Sequence, residues 1–196
     1  MRRQFLAAAA GAALLLLAPS AVSATNLQAY RFPQMPGQPL SDLEVRPRAT
    51  APPREIVAYD GPHAPGTIVV STEKRRLYFI LPGNQAMKYG IGVGRPGFEW
   101  AGTTKVSMKR EWPSWAPSAR MRRRRPDLPR FMRGGPENPL GARAMYLSRS
   151  LYRIHGSNEP QTIGRAVSSG CIRMTNEDVI DLYERVTIGA RVIVSR

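Results

Sequence analysis

Only one stretch of this chain carries a helical repeat. Val179, Leu182, Tyr183 and Val186 stand at i, i+3, i+4 and i+7. They follow Thr175, which reads as an N-cap, with Asp178 three residues on as in a capping box. Elsewhere the apolar residues come in short β-branched and aromatic runs, broken by glycine and proline. A chain patterned this way is confined to a mostly β fold with one helix near its C-terminal end. With 18 Pro and 17 Gly in 196 residues, much of it must be turn and loop. The 42% hydrophobic content still supplies a core, and the length suits one domain with extras.

The runs fall in an order. Glu55 to Tyr59 suits a short edge strand, and Gly66 to Ser71 is a strand by its β-branched content. Leu77 to Leu81 follows a turn at Glu73 to Arg76, and Ala86 to Gly94 alternates around three glycines. Together these predict an antiparallel meander. Residues 95–142 lack periodicity and read as one long excursion. It holds Trp100, Trp112 and Trp115 with an arginine cluster at Arg120, Arg122 to Arg125, Arg130 and Arg133. Loops this long inside a compact domain are usually functional or disordered, and the tryptophans favour an ordered one. Trp112 and Trp115 are expected to fix it against the domain, leaving the arginines facing outward. Ala144 to Ile154 returns to strand composition, Cys171 to Met174 is short and extended, and Arg191 to Val194 is a final strand.

Residues 1–24 have the form of a secretory signal peptide. Arg2 and Arg3 precede an apolar run from Phe5 to Ala18, and Ala21 to Ala24 ends in small residues. The run is shorter than the roughly 20 residues a membrane span needs. Arg2 to Leu6 also looks like a twin-arginine signal, so the export route stays open. Residues 25–54 form a proline-rich linker without apolar periodicity, expected to be disordered. The domain is expected to run from 55 to 196. Loss of the leader removes two arginines and no acid, taking the formal charge from +15 to +13. Export excludes nucleic acid as the partner of so basic a chain. Anionic lipid heads or cell-wall polymers in the periplasm or envelope take its place.

The chain has one cysteine, Cys171, so no internal disulfide can form. Of two histidines, His63 sits in a Gly-Pro turn and reads as solvated, while His155 ends an apolar strand ahead of Gly156. A free thiol titrates near ~8.5, and an imidazole can take its proton. Ser168, Ser169 and Gly170 allow a tight turn that aims N–H groups, Gly170's among them, at an oxyanion. Arg173 falls on the same side of an extended chain as Cys171 and suits a substrate carboxylate. On spacing alone, an inert buried thiol and a structural histidine remain open.

The local sequence narrows this. His155-Gly156-Ser157, followed by Ser168 to Met174 (Ser-Ser-Gly-Cys-Ile-Arg-Met), resembles the signature of the L,D-transpeptidase catalytic domain, the YkuD or ErfK/YbiS/YcfS/YnhG family. The family pattern is His-Gly, a loop, then Ser-x-Gly-Cys-x-Arg, and Asn176 also fits. Gly66 to Val70 with Leu77-Tyr78 looks like its opening hairpin, Tyr89 to Gly94 like its next strand, and Asn138 to Gly141 like the approach to the histidine strand. The resemblance covers roughly 55–196. Many relatives carry histidine where Ser169 stands, so His155 must be the sole imidazole. A Thr-Pro-x-Gly segment of many relatives is here Trp100 to Thr104.

The resemblance implies a β-sandwich of mixed sheets with one C-terminal-region helix and a long inserted loop. It implies Cys171 as nucleophile, His155 as proton donor and acceptor, and substrate binding by Arg173, Ser169, Gly156 and Ser157. A backbone carbonyl or Ser157 would orient His155. The substrate would be a peptidoglycan stem peptide, attacked at its third residue to expel D-alanine and then joined to a second stem as a 3–3 cross-link. No metal or organic cofactor is implied. Water as acceptor would make an L,D-carboxypeptidase, and a protein amine would anchor an envelope protein. In a different class, the basic loop and tryptophans would form a non-catalytic wall-binding module.

Overall fold

The computed structural model describes residues 49–196. The expected leader and most of the expected linker lie outside them. The meander is present as β1 (Glu55–Ala58), β2 (Ile68–Ser71), β3 (Arg76–Leu81) and β4 (Gln85–Gly90). Gly83 and Asn84 turn the β3–β4 hairpin with positive φ of 76° and 54°, which glycine and asparagine accept most readily. Then come β5 (Val93–Gly94), β6 (Gly102–Glu111), α1 (Ala119–Arg124), β7 (Arg143–Leu147), β8 (Arg153–His155), β9 (Ala166–Ser168), β10 (Ile172–Arg173), α2 (Asn176–Arg185) and β11 (Arg191–Ser195). A 3-10 turn at Pro160–Thr162 lies between β8 and β9.

Nine strands form one mixed sheet in the order β1-β4-β3-β2-β11-β6-β7-β8-β10, and β5 with β9 forms a small parallel pair. The long strand β6 is shared. Its first half pairs with β11, and from Val106 onward it pairs with β7, with a register shift between Val106 and Met108. Ile68, Val70, Leu77 and Tyr89 of one half and Met145, Leu147, Ile154 and Ile172 of the other enter the same buried cluster. The sheet therefore curls over its own core, and its two halves serve as the two layers of the expected sandwich. Val179 and Leu182 of α2 close that core. Burying side chains of this size contributes about 1.5–3 kcal/mol each.

The expected C-terminal helix is α2, and its cap is as read: Thr175 Oγ1 accepts from the Asp178 N–H at 3.1 Å. The excursion differs from expectation because it contains β6. Along β6 only Val106 is fully buried, so no apolar alternation marks it. Lys109 of β6 sends Nζ to the Tyr183 and Val186 carbonyls at the end of α2, at 2.6 and 2.7 Å. A charged residue thus does the packing, its stem covered and its head on helix carbonyls. The run 144–154 is a hairpin rather than one strand, because Arg149 adopts φ 57° between β7 and β8. The run 86–94 breaks after Gly90, where Gly92 leaves β4's course to bridge Arg173.

Buried Asn138 ties down the excursion, donating to the Pro113 and Arg133 carbonyls at 3.0 and 2.9 Å and accepting from the Leu140 N–H. Residues from the tail of the expected linker also lie on the domain. Thr50 donates to the Ile163 carbonyl, and Arg54 pairs with Asp178 at 3.0 Å. Among the described residues no helix is long and apolar enough to cross a membrane.

Candidate active site

The two halves of the His…Cys motif meet as neighbouring strands. β10 runs parallel to β8, with Ile172 opposite Ile154 and Arg173 opposite His155. Ile154 and Ile172 are buried in the core. Because side chains alternate along a strand, Arg153, His155, Cys171 and Arg173 leave the sheet on the other face. The nucleophile candidate and the imidazole candidate therefore share one face.

His155 is only 4% exposed. Its Nδ1 lies 2.6 Å from the Gly156 carbonyl oxygen. The carbonyl can only accept, so Nδ1 carries the hydrogen, which assigns the tautomer and leaves Nε2 as a proton acceptor. Burial above all, and then the Arg173 charge, push the imidazole down to about 3. Burial pushes the Cys171 thiol up, against the opposing pull of Arg153 and Arg173. In the resting site both groups are neutral at pH 7, since a buried group resists taking on charge.

The turn before Cys171 is tightly held. Ser168 Oγ donates to the Cys171 carbonyl at 2.6 Å and accepts from the Gly170 N–H at 3.1 Å. Gly170 has φ 108°, and a Cβ there would come within 2.3 Å of the Tyr152 ring, so glycine is required on both counts. Trp100 Nε1 donates to the Gly170 carbonyl at 2.7 Å, and the indole stacks on Tyr152 with centroids 5.0 Å apart. Arg173 is locked at the main chain by mutual 2.8 Å bonds with Gly92. Its Nη1 pairs with Glu159 at 3.2 Å.

Three expected roles change with these contacts. The Gly170 N–H is spent on Ser168 Oγ, so it is not a free donor for an oxyanion. Ser157 is 2% exposed with its Oγ accepting from the Glu159 N–H, and the contact made by the His155 Nδ1 is with the Gly156 carbonyl instead. Gly156 is buried, and its part is to carry the carbonyl that holds the His155 ring. A Cβ at Gly156 would come 2.3 Å from Asn176 Oδ1, which itself accepts from the Ala142 N–H at 2.9 Å. Ser169 is half-buried in the turn, and His63 lies far along the chain beside Tyr59.

Trp100, Tyr152, Ser168 and Arg153 were not singled out from sequence as site residues. Trp112 and Trp115 make main-chain bonds within the excursion, to Ala142 and Met132. Trp100 is the one at the turn before Cys171. Tyr152-Arg153, next to the Ile154-His155 pair, was the available signal, since alternation aims Arg153 with His155. Among the described residues no group of three His, Cys, Asp or Glu side chains is placed to hold a metal.

Residues 65–194 match the YkuD family model, described as the L,D-transpeptidase catalytic domain. The chain belongs to the L,D-transpeptidase (YkuD) family. It is 38% identical over 148 residues to the Probable L,D-transpeptidase YbiS of Escherichia coli (strain K12), covering 71% of this chain and 47% of that protein. It is 41% identical over 134 residues to the Probable L,D-transpeptidase ErfK/SrfK of the same strain, covering 64% and 42%. The chain thus spans under half the length of these relatives. In fold it is similar to an L,D-transpeptidase from Mycobacterium smegmatis, with TM-score 0.54, 19% identity, and 66% and 58% of the two chains covered. It is likewise similar to the catalytic domain of an E. faecium L,D-transpeptidase, with TM-score 0.53, 21% identity, and 69% and 100% covered. The family match spans both motif halves and the intervening 3-10 turn.

Proposed function

We propose that this chain is an exported peptidoglycan L,D-transpeptidase that forms 3–3 cross-links through a thioester on Cys171. The observation that supports the reading is the β8–β10 ladder, which pairs Arg173 with His155 and brings the segment that begins at Cys171 alongside the histidine strand. Nε2 of His155 takes the thiol proton as sulfur attacks the carbonyl of the third stem residue. The tetrahedral oxyanion is met by the Cys171 N–H, which replaces Gly170 in that role. The His155 proton then passes to the departing D-alanine amine, leaving a thioester. A stem amine attacks the thioester, gives its proton to His155, and the thiol is restored as the amide forms. Arg173 faces the substrate from the same strand, and the Glu159 carboxylate paired with it stands where a substrate carboxylate would sit.

Intact-mass measurement after mixing the protein with a tetrapeptide stem tests this. A thioester adduct with release of D-alanine is expected for the wild type and none for Cys171→Ala. An adduct that persists in Cys171→Ala sinks the assignment of the nucleophile. The product then separates acceptors: a cross-linked dimer for a stem amine, a tripeptide for water. A wall-binding module would bind stem polymer without any adduct.

A further inference from the structure

Three guanidinium groups converge on one phenyl ring beside the nucleophile turn. Arg95, Arg120 and Arg124 place their Cζ atoms 4.4, 4.4 and 5.1 Å from the centroid of Phe98. A ring attracts cations at its faces, but three like charges gathered on it repel one another. None of the ion pairs among the described residues includes these three arginines. Asp127 holds Arg125 at 2.6 Å, and Glu99, which accepts from the Gly97 N–H in the same segment, makes no ion pair with the three. Arg124 is pulled down in pKa by slight desolvation and then by the Arg95 and Arg120 charges.

The element that presents two of them gains little else from its position. Helix α1 has no buried residue and no acid in its first turn. Arg120 and Arg124 stand at i and i+4 on it, a like-charge spacing that disfavours a helix. What α1 lays on the domain is its arginine face against Phe98. An anion seated between the guanidinium groups would turn this repulsion into attraction.

The location says which anion. The Arg95 N–H donates to the Ser168 carbonyl at 3.0 Å, and Trp100 Nε1 donates to the Gly170 carbonyl at 2.7 Å. The segment from Arg95 to Trp100 is therefore a strap that touches the nucleophile turn at both ends, with Phe98 between them. We propose that Arg95, Arg120 and Arg124 form a carboxylate-binding subsite that holds a free carboxylate of the peptide delivered to Cys171. This rests on the stem-peptide reading above. The planar guanidinium fork matches a carboxylate in two-point contact, which a scattered solvated arginine does not achieve.

The test uses the whole protein with Cys171→Ala, so that binding is read without turnover. A tetrapeptide stem with free carboxylates and the same peptide fully amidated are titrated calorimetrically. Tenfold or tighter binding of the acid form is expected. Arg120→Gln/Arg124→Gln on this background should erase most of that preference, as should Arg95→Gln, with unfolding midpoints unchanged. Arg122→Gln/Arg123→Gln, which alters charge equally on the same helix, should preserve it. Equal affinity for the two peptides, a preference that survives both Phe98-cluster variants, or loss only of binding to anionic lipid vesicles overturns the subsite. In parallel, wild type lacking any thioester adduct with either peptide refutes the transpeptidase reading. An adduct in wild type with an unchanged acid preference in the variants refutes only the subsite.

Discussion

Arg153 is the residue whose chemistry most exceeds its appearance in the sequence. Its Nε is buried with no acceptor among the described residues, Nη1 donates to the Leu151 carbonyl at 3.2 Å, and the Tyr146 ring lies 4.9 Å from its Cζ. The guanidinium is thus clamped, and it pulls against the burial that pushes the Cys171 thiol up. Arg153→Gln should raise the thiol pKa further and slow iodoacetamide alkylation several-fold at pH 8. A pH profile of alkylation that overlays the wild type would show that Arg153 does not act on sulfur. His155→Asn removes the proton acceptor, and turnover should fall by about 10²–10⁴. His155 also leaves a mark on stability. Its folded pKa of about 3 lies below the ordinary 6.5, so between those values the unfolded chain binds more protons than the folded one. Stability from the neutral histidine is therefore whole above pH 6.5 and is lost as pH falls toward 3, by up to about 1.4 kcal/mol per pH unit. Urea unfolding across that window should be visibly less acid-sensitive in His155→Asn. An identical slope in both proteins would show that the buried ring is not the cause.

At the scale of elements, the nucleophile turn depends on a strand and a strap that do no chemistry themselves. Trp100→Phe keeps the stacking on Tyr152 but deletes the hydrogen bond to the Gly170 carbonyl. A loss of about 1 kcal/mol in stability is expected. The drop in kcat should be larger than that energy alone implies, because the turn that aims Cys171 loosens. Unchanged kcat with the stability loss would make Trp100 a packing residue only. Legibility follows the same division. β2 and β11 were readable because β-branched residues alternate between core and exterior, β3 because Leu77 to Leu81 is an apolar and aromatic run between turns, and α2 because its cap and its apolar face agree. That the His155 and Cys171 segments belong together was legible through the family resemblance, carried by the glycine, serine and arginine around them, and β8 and β10 are indeed neighbours. β6 was not, because lysine and arginine occupy a strand whose partners on both sides come from elsewhere in the chain. Nor were Trp100 and Tyr152, since no local pattern tells an indole to reach a carbonyl seventy residues on. The Gly170 N–H looked available for the same reason: the Ser168 side chain that claims it is neutral in any pattern.

Across the whole molecule, the curled sheet is closed by its last strand. β11 pairs in parallel with β2 near one end of the domain and antiparallel with β6 in its middle. Val192 and Val194 place both side chains in the core from that position. In the order of the large sheet, the half that carries β8 and β10, and with them the candidate site, is joined to the meander through β6 and β11. Stability should therefore be concentrated at a strand remote from the chemistry. Val192→Ala should cost about 2 kcal/mol in urea unfolding. Ile56→Ala in the edge strand β1, where Ile56 is 57% exposed, should cost less than about 0.5 kcal/mol. Because β2 and β11 pair across most of the domain, closure must wait for long-range contact, and refolding should fall in the millisecond-to-second range of β-rich topologies. Amide exchange would locate the same asymmetry: the β2, β11 and β6 amides should open only with global unfolding, and β1 should open earlier. If β11 amides exchanged as fast as those of β1 while β7 and β8 stayed protected, the two halves would be independent units, and β11 would not be what joins them.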